Sequence, residues 1–436
     1  MSPTAEAGLV RGIRRWDLVA LVLNTVIGAG IFGLPAEVFR RAGTWSLFAY
    51  LVCAALVALI LLCFAELGGR YVGTGGPYLY ANEAFGPIAS FEVGWLLWLA
   101  QLTAFAALCN LFVGYLGYFW PSAAEGSARG AVIVAIVLFL TVVNLVGVRR
   151  AALASNIFTV GKLVPLVLFV AVGLFFVRPE PFSLAVRPGA GTFSATVLLL
   201  VFAFAGFESA GIPAGETVDP RRDAPFALLT AMGFVAVLYL AIQVVCIGTL
   251  PGLAGSTRPL ADASLGFVGG AGAAVMAAGA LVSVMGTLNA IMLFAPRLLF
   301  AMAERGQIPR VVGATHARFH TPHVAILLSA AGVLWLSLSG TFIAAATIST
   351  LIRLIIYAIT CAAVPVLRRR ADAPPTAFRV PAGDFVAGAA LLLCAALFSS
   401  STLVQARNTL MAAAVGLAIY AAGRLGRRPP SRIVTP

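Results

Sequence analysis

The sequence predicts an all-α polytopic membrane protein with twelve transmembrane helices, on three observations. Of 436 residues, 61% are hydrophobic and only 10% carry charge, where a soluble domain carries about 25%. Mean hydropathy is +1.00, and apolar runs recur along nearly the whole chain, too many for buried core helices. The two halves of the chain also carry matching irregularities in those runs.

The apolar spans fall at 16–39, 45–67, 86–120, 130–148, 155–177, 193–214, 225–250, 265–303, 322–338, 341–367, 385–403 and 409–423. With the N-terminus inside, twenty arginines lie on the cytoplasmic side. Seven lie outside: Arg40, Arg41, Arg129, Arg178, Arg187, Arg258 and Arg407. That asymmetry follows the positive-inside rule and places both termini in the cytoplasm, in a plasma (inner) membrane. The net charge of +13 therefore sets orientation in the lipid bilayer and does not mark a nucleic-acid partner.

Cys53, Cys63, Cys109, Cys246, Cys361 and Cys394 all sit within spans and lack metal-ligand spacing. His316, His320 and His323 cluster beside Arg318 without carboxylate partners, which reads as a solvated cytoplasmic loop. No metal and no cofactor is expected.

Span one contains "NTVIGAGIFGLP" (24–35), with Gly28, Gly30 and Gly33 followed by Pro35. Gly costs about 1 kcal/mol relative to Ala inside a helix, so this run predicts a break in mid-membrane. Span six carries its own interruption, "FAFAGFESAGIPAGE" (202–216), with Gly206, Gly211 and Pro213. Spans three and eight run over 86–120 and 265–303, where about 20 residues suffice to cross. Both pairs are five spans apart. Span one begins inside and span six outside, so the repeat is inverted. This divides the chain into a cytoplasmic tail (1–15), a first five-helix repeat (16–177), a second (193–367), two further helices (385–423) and a C-terminal tail (424–436).

Paired interrupted segments in two halves are the best sequence pointer to a transporter binding site. A break frees carbonyls at the end of one half-helix and N–H groups at the start of the next. Lipid cannot satisfy them, so they face a cavity. Gly28 and Gly30 leave the backbone open to close approach. A half-helix beginning near Phe32, with Pro35 in its first turn, aims its positive end at that cavity and suits a carboxylate.

At these residues the chain resembles the amino acid–polyamine–organocation superfamily of permeases. The stretch 24–35 resembles that family's first helix, and "GTGGPYLYANEAFG" (73–86) its loop before span three. "FAFAGFESAGIPAGETVDPRRDAP" (202–225) resembles its sixth helix, and "RLLFAMAERGQIP" (297–309) the end of its eighth. The resemblance implies a LeuT-like fold, with spans one to five and six to ten inverted and spans eleven and twelve peripheral. It implies that the substrate carboxylate meets the backbone amides of Ala29, Gly30 and Ile31. The amine would meet carbonyls near Val26, Ile27, Phe202 and Phe204, and Phe202 would close over the substrate from outside.

Three ionisable residues lie at membrane depth. Lys162 is the one lysine among 29 basic residues, and twelve residues beyond Arg150 place it about 18 Å along a helix. It reads either as a snorkelling anchor or as a cation replacing sodium against the span-one carbonyls and responding to protonation. Several sodium-independent members of the family carry a lysine in this setting. Glu208 follows the span-six break and should face the cavity or a protein group. It reads as a proton site or gate link, or as an acceptor for the freed N–H groups. Arg353 lies midway along span ten and requires a buried partner, Glu208 being favoured over an acidic substrate. Asn110, Asn289 and Ser349 read as helix-bridging groups.

The expected function is secondary active transport of a small-molecule substrate, an amino acid or related amine, by alternating access. It is expected to be sodium-independent and either proton-coupled or an exchanger. A polyamine or other organic cation is the alternative cargo. A membrane-embedded enzyme would need a catalytic constellation, and none is visible at membrane depth. A channel would need a ring-forming pore repeat, which is likewise absent from the sequence.

Overall fold

The computed structural model describes residues 14–71, 75–146, 151–208, 217–319 and 321–425. Gly211 and Pro213 of the span-six interruption lie outside these residues, as do His320, part of the 73–86 motif, and the orienting arginines Arg149, Arg150, Arg427, Arg428 and Arg432. Fifteen α-helices and no strand occur among the described residues. In chain order they are α1 (Arg15–Val26), α2 (Ala29–Ala42), α3 (Ser46–Arg70), α4 (Pro77–Phe85), α5 (Pro87–Leu116), α6 (Gly126–Val146), α7 (Ala151–Gly173), α8 (Ala190–Phe204), α9 (Pro220–Thr249), α10 (Pro259–Phe267), α11 (Gly270–Glu304), α12 (His323–Ser339), α13 (Phe342–Arg368), α14 (Gly383–Ser399) and α15 (Leu403–Leu425).

Among the described residues, six apolar helical stretches are long enough to cross a bilayer: 29–70 (α2 and α3 in succession), α5, α6, α9, α11 and α13. Shorter apolar helices cover 161–176 (the end of α7 with the 3-10 turn that follows it), α8 and α12, and α14 meets α15 at a bend of 119°. The protein is an integral, multi-pass membrane protein. The short helices α4 and α10 are not announced by apolar runs. Each opens on a proline, Pro77 and Pro259, whose missing N–H costs nothing at a helix start.

Composition decides which helices lie inside. In its most apolar stretch α5 is 78% buried, against 33% for α6. A helix apolar on every side belongs in a bundle's centre, and α11, α12 and α13 pack around α5. Helix α6 instead presents Leu138, Phe139 and Val142 outward, as suits a lipid-facing surface. At 1.5 Å per residue, α5 (30 residues) and α11 (35 residues) extend about 45 and 52 Å, beyond the ~30 Å hydrocarbon layer.

Helix α1 stops in mid-span. The amide of Ile27 still donates to the Leu23 carbonyl at 2.9 Å, but Gly28 leaves helical geometry and α2 restarts at Ala29. The restart is three residues earlier than Phe32, so Pro35 sits in the second turn of α2. Helix α8 likewise ends at Phe204, and the chain turns through Gly206 at φ +115°.

Candidate functional site

The two interruptions meet. A side chain at Gly206 would overlap the Thr25 carbonyl oxygen and lie 2.9 Å from the Thr25 carbonyl carbon. Only a residue without Cβ accommodates both this contact and the positive φ. On the other half-helix, a Cβ at Gly30 would overlap Ala203 Cα and fall 2.7 Å from Ala203 Cβ. The broken helices thus cross backbone against backbone, each through a glycine of its own. Gly28 differs: a Cβ there would sit 3.6 Å from Thr287 Cγ2, an ordinary van der Waals contact.

Beside this crossing lies a cavity of about 60 Å³ for the centres of water-sized spheres, room for about four to six waters at 10–15 Å³ each. Its walls are backbone from 24–30 and 202–206, together with α5, α11 and Arg353 of α13. Val26, Ala29, Gly30 and Phe202 line it. Ile27, Ile31 and Phe204 do not; they are fully or almost fully buried behind it. Phe204 packs instead on Tyr239, with ring centroids 5.3 Å apart. Phe202 meets Phe342 edge to face at 6.1 Å.

The first turn of α2 has no side-chain cap at Gly28. Its leading amides have no intrahelical acceptors, because the first four N–H groups of any helix lack them. They open beside the cavity that Gly28, Ala29 and Gly30 line, where the helix dipole favours negative charge. At the other side of the break the carbonyls have protein donors. Lys162 Nζ, with no exposed surface, donates to the Asn24 carbonyl at 2.9 Å and the Ile27 carbonyl at 3.0 Å. The Tyr239 hydroxyl donates to the Val26 carbonyl at 3.3 Å. The Ile27 carbonyl therefore faces Lys162, on the side away from the cavity. Lower in α2, Tyr115 donates to the Phe32 carbonyl at 2.8 Å and Gln243 to the Pro35 carbonyl at 3.3 Å.

The second break is held by Glu208. Its Oε2 accepts from the Gly206 amide at 2.8 Å and from the Tyr357 hydroxyl at 3.0 Å. Its Oε1 lies 2.7 Å from Arg353 Nε, with both side chains almost wholly buried. Arg353 Nη1 also donates to the Ala100 carbonyl at 3.3 Å and to Ser349. One side chain is thus both the ion-pair partner of Arg353 and the acceptor for the Gly206 amide freed at the break. Gln101, Thr287, Tyr239 and Tyr357 were not singled out by sequence; single polar residues in apolar helices carry no pattern that marks them. Near the end of α3, Glu66 takes bonds from Arg368 at 2.6 and 2.8 Å and from the Val380 amide at 2.9 Å.

An uncapped half-helix start lines a small cavity, a buried cation holds carbonyls behind the break, and no nucleophile or base is placed for chemistry among the cavity's lining residues. The family comparison decides the class: the profile described as "Amino acid permease" matches residues 13–420. The chain belongs to the amino acid permease family. It is a transporter, not an enzyme. The permease is 30% identical over 396 residues to the serine/threonine exchanger SteT of Bacillus subtilis (strain 168), covering 88% of this chain and 89% of that protein. It is 26% identical over 446 residues to the branched-chain amino acid permease BcaP of the same organism, covering 96% and 94%. It is 27% identical over 395 residues to that organism's methylthioribose transporter, covering 86% and 84%.

Proposed function

We propose that this permease carries a small amino acid by sodium-independent alternating access, with Lys162 standing where a sodium ion would otherwise bridge helices. The observation that carries the proposal is the pair of bonds from Lys162 Nζ to the Asn24 and Ile27 carbonyls, 2.9 and 3.0 Å. A fixed ammonium supplies to freed carbonyls the positive charge that a bound cation would supply. The substrate carboxylate meets the amides of Ala29 and Gly30, and the amine meets carbonyls of Val26 and Phe202, the four expected site residues that line the cavity; Ile31 and Phe204 lie behind it. Ile27 serves Lys162 instead. Phe202 covers the substrate.

In this reading the chain comprises twelve spans. Residues 16–177 and 193–367 form inverted five-helix repeats, 385–423 pack outside them, and both termini are cytoplasmic. Glu208 and Arg353 tie the second break to α13, so movement of α13 is felt at the substrate site. Loss of the Lys162 proton would loosen α1 from α7 and couple proton movement to opening; a permanently charged Lys162 suits an exchanger.

Uptake into proteoliposomes by purified protein tests this. Replacing sodium with choline should leave wild-type uptake unchanged, and Lys162→Ala should abolish transport while leaving membrane insertion intact. A strong sodium requirement, or full activity in Lys162→Ala, would overturn the assignment. Acid-stimulated net uptake separates symport from exchange, which instead requires substrate on the trans side.

A further inference from the structure

The cavity has a second set of polar groups, the side chains that α5, α11 and α13 contribute to its wall. Gln101 of α5 lines it and is buried, yet its side-chain amide makes no hydrogen bond among the described residues. Arg353 also lines it. Its Nε is taken by Glu208 and its Nη1 by Ala100 and Ser349, while Nη2 has no partner among the described residues. Thr287 of α11 spends its hydroxyl proton on the Ser283 carbonyl at 3.1 Å, leaving its oxygen able to accept. The rest of the lining from α5 and α11 is apolar: Ala104, Leu108, Ala290, Ile291 and Phe294.

Buried polar groups are ordinarily paired, and an unpaired donor at such depth is unfavourable. Groups left open around one cavity are therefore positioned for a ligand. Between them they offer donors (Gln101 amide, Arg353 Nη2) and acceptors (Gln101 carbonyl, Thr287 Oγ1). The charge of Arg353 is already balanced by Glu208 at 2.7 Å, so the set is neutral overall. A substrate carboxylate placed there would enter without a counter-charge of its own.

We propose that Gln101, Thr287 and Nη2 of Arg353 form the specificity face of the site, selecting a small neutral amino acid whose side chain bears a hydroxyl or carboxamide. This rests on the cavity being the substrate site. The α-carboxylate and α-amine are held by backbone at the breaks and carry no side-chain information. Discrimination falls to the side chains of α5, α11 and α13 that line the same cavity. An aliphatic side chain of similar size would leave Gln101 and Arg353 Nη2 unpaired in the occupied, water-free site. That is the condition under which a site built for hydrogen bonding rejects an apolar analogue.

The test is counterflow by purified, reconstituted protein with radiolabelled L-serine, L-threonine, L-asparagine, L-alanine, L-valine and L-aspartate, each titrated for half-saturation. Serine, threonine or asparagine should half-saturate at a concentration about fivefold to 100-fold lower than alanine or valine, with aspartate poorer than asparagine. Gln101→Leu and Thr287→Val should erase that preference, raising half-saturation for serine, threonine and asparagine more than for alanine, with the melting temperature unchanged. Alanine or valine matching serine, or aspartate leading the series, would overturn the specificity face while keeping the cavity as the substrate site. An equal loss for every amino acid in both variants would make these residues structural and overturn it too. Counterflow by none of the six would overturn both the specificity face and the site beneath it.

Discussion

Glu208→Gln removes one charge from the buried pair while preserving side-chain shape. Arg353 Nε and Glu208 Oε1 are 2.7 Å apart, with side chains 4% and 0% exposed. Charge centres separated by about 4 Å attract by about 4 kcal/mol at an effective dielectric of about 20. Breaking such a pair by deleting one partner costs about 3–5 kcal/mol, since the survivor remains buried and uncompensated. Arg353→Met should cost a similar amount, with the Ala100 carbonyl and Ser349 losing their donor as well. The double variant leaves neither charge stranded, so it should be less damaging than the sum of the two by at least about 2 kcal/mol. Unfolding free energies from denaturant titration in mixed micelles, for the wild type and three variants, close the cycle. Additivity within about 0.5 kcal/mol would refute the reasoning, because two groups in contact would then show no coupling.

Gly206→Ala should reduce the yield of folded protein sharply, as its Cβ meets the Thr25 carbonyl at a φ of +115°; a normal melting temperature would contradict the backbone crossing. Gly30→Ala should likewise destabilise, by about 1–3 kcal/mol for overpacking, because Ala203 occupies the space its methyl would need. Glu66→Ala should free the segment after α13, since Glu66 holds both Arg368 and the Val380 amide; faster hydrogen exchange at Val380 is the readout, and unchanged protection would argue against that anchor.

The breaks were legible in the sequence because glycine and proline clusters inside apolar runs have few other uses. Lys162 stood out as a lone lysine, but its depth alone also fitted a snorkelling anchor; contact with the span-one carbonyls was what the family resemblance implied. Arg353 and Glu208 could be matched because few carboxylates lie at mid-membrane. What was not legible depends on contacts between segments far apart in the chain. Gly28 and Gly30 read as equivalent openings for a ligand, but Gly30 turns its missing side chain toward Ala203, and only Gly28 turns it toward the cavity. Ile27 sits beside Val26 in sequence, yet their carbonyls face different donors, Lys162 and Tyr239. The start of α2 at Ala29 was missed because a glycine-rich stretch carries weak helix propensity, which packing against α8 overrides. Helices α4 and α10 are too short to announce themselves by hydropathy.

In the proposed function the permeant amino acid occupies the cavity at the crossing of the broken helices. Gly28→Leu is the sharpest probe, because a Cβ there would already lie 3.6 Å from Thr287 Cγ2 and a longer side chain would occupy the cavity of about 60 Å³ that both residues line. Counterflow of radiolabelled amino acid should be abolished in this variant, while melting temperature and monodispersity remain those of wild type. Undiminished counterflow with the cavity filled would contradict the claim and move the substrate elsewhere in the protein.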